Sequence, residues 1–185
     1  MTSPGWRGGT RQGAALALFD VGLVLGAVLS ALVLWVVSGL VPPVPDTVLA
    51  SVVVAVAVAG VARDAGLVRF PLPQNARQVP RNVLTENVAR GSLRFGFEMG
   101  TGVRTYVSST VPYVLVVALV LAGPGLLTSV AAGVGFGLGR ALTPTARFAS
   151  GDGETWDGRL HTHLRTIKLV AGSAVAAALG VLLFT

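Results

Sequence analysis

Five blocks of nearly unbroken apolar sequence, at about 14–40, 47–63, 95–122, 126–142 and 166–184, alternate with short polar segments that hold almost every arginine. A bilayer's hydrocarbon core is about 30 Å thick and takes about 20 apolar residues of helix to cross. Blocks of this length therefore leave a narrow choice of fold. A soluble domain carries about 25% charged residues, whereas this chain has 12%, with 52% hydrophobic residues and a mean hydropathy of +0.73. The sequence predicts an all-α fold: a polytopic integral membrane helix bundle in which residues 1–185 form a single membrane domain. The block at 47–63 is rich in Val, usually a strand former. In lipid, an isolated strand leaves its backbone polar groups unsatisfied, so a helix is expected there too. The first block is far longer than the roughly 7–15-residue core of a signal peptide and is read as a retained span.

Orientation follows from the basic residues, which collect on the cytoplasmic side of membrane proteins. With the N-terminus in the cytoplasm, five spans place the tail, an interfacial segment at 64–94 and a loop at 143–165 inside. The turns at 41–47 and 123–125, and the C-terminus, then lie outside. This arrangement puts thirteen of the fourteen Lys and Arg residues inside, Arg140 and Lys168 among them at span ends. The exception is Arg104, within the third block. Val83, Leu84, Val88 and Leu93 interleave with arginines in 81–94, a pattern for a short helix at headgroup level, with Gly91 expected to interrupt it. Anionic lipids near Arg77, Arg81, Arg90 and Arg94 are the expected partners of this segment, alongside the bilayer itself. The net charge of +6 is explained by topology, so no nucleic-acid partner is expected. Thirteen arginines against the single Lys168, with Ile167 the only isoleucine, suggest a GC-rich bacterial genome, and the expected location is a bacterial inner membrane.

The chain has no cysteine, which removes disulfides, thiol redox chemistry and Cys-ligated metals. It has no phosphate-binding Gly loop, no HExxH and no nucleophile elbow. GVGFGLGR at 133–140 resembles a dinucleotide fingerprint only in its glycines, because no strand precedes it. His161 and His163 stand two apart in the polar 143–165 loop without further ligands, a poor metal site. No enzyme activity, cofactor or metal is expected. Trp6, Trp35, Tyr113 and Trp156 suit interfacial anchoring.

Ionisable residues at the centre of a span cost about 2.5–3.5 kcal/mol by insertion scales, and besides Arg63, Arg140 and Lys168 at span ends the blocks hold Asp20, Glu98 and Arg104. An Asp20–Arg104 pair would cancel two charges at similar depth, with Glu98 reaching toward the interface. On one continuous helix, Glu98, Thr101, Thr105, Ser108, Ser109 and Pro112 fall within an arc of about 100°, with Arg104 at its edge. Such a stripe can line a hydrated path, or its hydroxyls can bond back to their own helix. Pro112 frees a carbonyl, and Gly100 and Gly102 weaken the helix before it, so the third span is expected to be kinked or broken.

Small residues mark where helices could approach closely. Gly133, Gly135, Gly137 and Gly139 make two overlapping small-xxx-small patterns, and Gly172, Ala176 and Gly180 make a third. They favour a homo-oligomer or a membrane-protein partner. An ungapped offset of 78 aligns Phe19-Asp20-Val21-Gly22 with Phe97-Glu98-Met99-Gly100 and gives nine identities over the 38 residues 19–56. In so biased a composition this is a thin signal of a duplicated hairpin.

FGFEMGTGVRTYVSSTVPYVL (95–115) resembles a core helix of the cytochrome c biogenesis (CcdA/DsbD-type) transmembrane family, where a Phe/Gly-rich entry leads to a Gly–x–Thr region and a Pro kink. The resemblance covers about one helix. That family moves reducing equivalents through paired membrane cysteines, which this chain lacks, and it has six or more spans. The resemblance implies a related helix-break architecture without the redox function. Two functional expectations stand together. One is a transporter-like or channel-like protein with its path on the span-three stripe. The other is a non-catalytic membrane subunit or scaffold that docks a partner through small-residue helix faces.

Overall fold

The computed structural model describes residues 9–73, 88–102 and 109–184. Every regular element among them is helical: α1 (Gly9–Ser38), α2 (Asp46–Asp64), α3 (Val88–Gly100), α4 (Val111–Leu121), α5 (Leu126–Ala149) and α6 (Gly153–Phe184). Four of these are long and apolar enough to cross a membrane, namely Gln12–Ser38 of α1, α2, α5 and α6. That length and composition suit a multi-pass membrane protein. Their outward faces agree: Val21, Leu25, Leu29 and Val33 form an exposed apolar stripe along α1, as a lipid-facing helix requires.

Punctuation residues set the helix ends. Asp46 sits in the first turn of α2, where a carboxylate favours the positive end of the helix dipole. At its far end Gly66 adopts φ +80°, Leu67 N–H donates to the Ala62 carbonyl at 2.9 Å and Gly66 N–H to that of Arg63 at 2.8 Å. This is a Schellman closure, and it satisfies carbonyls that a helix end otherwise leaves open.

The chain divides into two compact units. The first holds α3, most of α5 and α1 up to Ala31. Here α1 and α3 run parallel at backbone contact. A Cβ added to Gly96 would overlap the Phe19 carbonyl oxygen, and one on Gly100 would overlap that of Leu23. Gly22 and Gly26 on α1 are closed in the same way by the Leu93 and Phe97 carbonyls. On another side of α1, Gly133 meets Val28 and Gly137 meets Val24, each with the Cα at under 3 Å from a would-be Cβ (2.9 and 2.6 Å). Glycine at the contact lets backbones approach and gain dispersion over a long seam, which replaces the hydrophobic drive that lipid does not supply.

The second unit holds α2, α4 and nearly all of α6. α2 and α4 run antiparallel: Gly60 lies against Thr110 and Val114, and Val53, Ala57, Val114 and Ala118 are buried. α6 touches this pair at Gly172, which faces Val61 and Val111. Most of its remaining length is exposed.

Several expectations need correction. The 143–165 segment is not a loop: α5 continues to Ala149, with Pro144 inside it, and α6 starts at Gly153. A short turn with Gly151 at φ +70° joins them. Polarity ended the apolar blocks at 142 and 166, but a helix needs no apolar face once it leaves lipid. His161 and His163 accordingly lie on α6, where His163 Nδ1 is 2.9 Å from the Arg159 carbonyl. Gly91 does not interrupt its helix. It is buried within α3.

Candidate functional site

The most highly connected polar group in the second unit is Asp64, the last residue of α2. Its side chain is 2% exposed. Asp64 Oδ2 accepts three hydrogen bonds: from Ser109 Oγ at 2.9 Å, from the Thr110 backbone N–H at 2.9 Å and from Thr110 Oγ1 at 3.0 Å. Its other oxygen is 3.4 Å from Arg63 Nη1. Thr110 is the N-cap residue of α4, and Pro112 occupies the first turn, where its missing N–H removes no helical bond. Val111 N–H donates to Ser109 Oγ at 3.3 Å. The start of α4 is thus a cluster of donors closed by one buried carboxylate, at the positive end of a short helix.

Around it, Arg63 Nε donates to the Phe70 carbonyl at 2.9 Å and its guanidinium lies 5.4 Å from the Phe70 ring centroid. Arg165 Nη2 donates to the Ala65 carbonyl at 2.8 Å, and Tyr113 Oη to the Pro73 carbonyl at 2.7 Å. The loop after α2 is therefore pinned to α4 and α6 by polar contacts. Tyr113, expected as an interfacial anchor, has its hydroxyl committed to this loop.

The first unit carries the end of α3 and two of the expected intramembrane charges. α3 stops at Gly100, and Gly102 follows with φ +72°. Its last carbonyls are closed by Thr101 Oγ1 on the Glu98 carbonyl (2.8 Å) and by Ser30 Oγ from α1 on the Thr101 carbonyl (3.0 Å). The arc drawn through Glu98 and Pro112 assumed one continuous helix, so it does not carry past this turn. Arg104, Thr105 and Ser108 lie outside the described residues, as do Arg77 and Arg81. Glu98 forms an i,i+4 pair with Arg94, Nε to Oε1 at 3.2 Å. Asp20 Oδ2 accepts from Thr145 Oγ1 of α5 at 2.8 Å, whereas Oδ1 is buried with no hydrogen-bond partner. Arg90 is exposed on α3, as Arg94 is.

Of the packing glycines, Gly133, Gly137 and Gly172 meet neighbours, while Gly135, Gly139 and Gly180 meet nothing within 4 Å. Two features escaped sequence reasoning. Asp64 was counted with the polar segment because it ends its block. The Gly22–Gly26 and Gly96–Gly100 pairs are small-xxx-small signals as plain as those on α5. Among the described residues no group of three or more His, Asp or Glu side chains could hold a metal ion. Comparison with protein-family models, with curated proteins and with solved structures found no match to this chain.

Proposed function

We propose that this chain is a bacterial inner-membrane protein of five spans, N-terminus in the cytoplasm and C-terminus outside. In this reading it works as a transporter-like or channel-like protein whose third apolar stretch is broken. One observation carries it: that stretch ends one helix at Gly100 and begins another at Val111, and both ends are closed by side chains instead of by helix continuation. Non-helical backbone at membrane depth is tolerated where protein or a water-filled cavity satisfies it, and transporters use half-helix ends of this kind to hold ions and substrates. Glu98 and Asp20 are the carboxylates available to a proton or small cation, with Arg104 as their partner and the Ser and Thr residues of the stretch along the path. The resemblance to the cytochrome c biogenesis family extends here to the helix break alone. Anionic lipid near Arg77, Arg81, Arg90 and Arg94 would hold the 64–94 segment at the headgroups.

Reconstituted vesicles test this. Glu98→Gln and Arg104→Gln are expected to abolish proton or cation flux while leaving the amount of folded protein unchanged. Flux equal to wild type in both variants sinks the reading.

A second reading is favoured by the open small-residue positions Gly135, Gly139 and Gly180. There the chain is a non-catalytic subunit, and these helix faces dock a second copy or a membrane-protein partner. Recovery of a stoichiometric partner from native membrane, with no flux in vesicles, would select it.

A further inference from the structure

We propose that the turn following α2 is a binding site for the phosphate of an anionic phospholipid, built from Arg63, Arg69 and the backbone around Gly66. Beyond the protein being in a membrane, this needs nothing from the transport reading. A cavity of about 350 Å³ lies in this turn, lined by Arg63, Gly66, Val68, Arg69, Phe70 and Pro71. Ligand pockets start at about 300 Å³, so the space suits a headgroup. Its lining holds two guanidinium groups and no carboxylate.

The two arginines differ in a useful way. Arg63 is fixed on three sides, by the Phe70 carbonyl, the Asp64 carboxylate and the Phe70 ring. Those contacts use Nε and Nη1, which leaves Nη2 without a protein partner among the described residues. Asp64, the nearest anion, meets Arg63 through Oδ1 at 3.4 Å, while its Oδ2 is taken by Ser109 and Thr110. Arg63 therefore presents a pre-oriented donor. Arg69 is exposed and makes no hydrogen bond or ion pair among the described residues. A guanidinium binds phosphate with paired donors in a fixed fork, and one rigid and one adjustable arginine can close on it from two directions.

The rim points to a lipid and not a free anion. Leu67 is 80% exposed, Val68 44% and Phe70 41%, all within the same turn. Apolar side chains beside Arg63 and the exposed Arg69 at the end of an apolar helix form an amphiphilic surface. Such a surface fits a molecule that is anionic at one end and hydrocarbon at the other, as juxtamembrane basic residues fit anionic headgroups in general.

The test uses the full chain in detergent, with native mass spectrometry after titration with phosphatidylglycerol or phosphatidylcholine. Wild type is expected to retain phosphatidylglycerol in preference to phosphatidylcholine. Arg69→Gln should weaken that retention about tenfold, the loss expected for one charge-assisted contact, and Arg69→Lys should restore part of it. Arg159→Gln, an exposed charge elsewhere on α6, should leave it unchanged. Arg69 is exposed, so its loss should not disturb folding, and an unaltered melting temperature would check this. Four results would each overturn the proposal: equal retention of the two lipids, no effect of Arg69→Gln, an equal effect of Arg159→Gln, or displacement of the lipid by inorganic phosphate at matching concentration.

Discussion

Asp64 Oδ2 accepts the backbone N–H of Thr110 at 2.9 Å, so the end of α2 supplies the cap for the start of α4. Two further donors, the hydroxyls of Ser109 and Thr110, converge on the same oxygen. Asp64→Ala strands all three in a site the side chain now fills. Interhelical hydrogen bonds in membranes average about 0.6 kcal/mol, and model peptides give about 1–2 kcal/mol, so the expected loss is about 2 kcal/mol or more. Asp64→Asn keeps a carbonyl oxygen for the Thr110 N–H and should lose less than half as much. Unfolding titrations in mixed micelles would measure both. A change under about 0.5 kcal/mol for Asp64→Ala would show that α4 starts without its help.

The glycines divide by what a Cβ would meet. At Gly22 and Gly96 it would enter backbone of the facing helix, which can move only if α1 and α3 separate. Gly22→Ala and Gly96→Ala are therefore expected to lower stability by several kcal/mol or to prevent accumulation, the usual result of overpacking carried to backbone. Gly135→Ala and Gly139→Ala have open space and should stay within about 0.5 kcal/mol of wild type. Melting curves of the four variants decide the matter. Damage at Gly135 equal to that at Gly96 would mean that another helix covers the Gly135 face.

The proposed topology is open to a clean chemical test because the chain has no cysteine of its own. Val44→Cys, in the turn between α1 and α2, should react with a membrane-impermeant maleimide in spheroplasts. Asp152→Cys, between α5 and α6, should react only after the membrane is opened. Labelling of both positions from the same side contradicts five spans with the N-terminus inside.

What the sequence could tell about this fold followed from block length. Solvent in a bilayer imposes one strong rule, continuous apolar helix, and the rule locates α1, α2, α5 and α6 to within a few residues in their apolar parts. It fails where helices leave lipid, since nothing in the polarity of Thr145 or His161 distinguishes helix from loop. The end of α3 at Gly100 was suggested by Gly102 and Pro112. Its closure and that of the α4 start were not, because Ser30 and Asp64 lie 71 and 46 residues from the groups they satisfy, Thr101 and Thr110. Asp64 was missed for a physical reason: a carboxylate at the end of an apolar block looks solvated unless the donors that bury it are known. The sequence alone suggests an Asp20–Arg104 pair and a Glu98 that reaches for the interface, whereas Glu98 pairs one turn back with Arg94 and Asp20 accepts from Thr145.

Asp20 offers the sharpest separation of structure from function. One carboxylate oxygen holds Thr145 Oγ1 at 2.8 Å, while the other is buried with no donor. An ionised carboxylate with one buried oxygen lacking a donor costs more to desolvate than the single hydroxyl contact returns. Asp20→Asn removes the charge and keeps an acceptor for Thr145, so it should cost no more than about 1 kcal/mol, and a gain is expected if no rearrangement follows. Thr145→Val removes the one donor and should lower stability by about 1 kcal/mol, since it leaves both oxygens unsatisfied. Thr145→Val should therefore be the more destabilising of the two in a melting experiment. Measured in the same vesicles, Asp20→Asn should stop proton or cation flux if the open oxygen is where the ion rests. A variant that is both stable and fully active would show that Asp20 serves neither purpose, whereas a large loss of stability would make its carboxylate a packing element of α1 and α5.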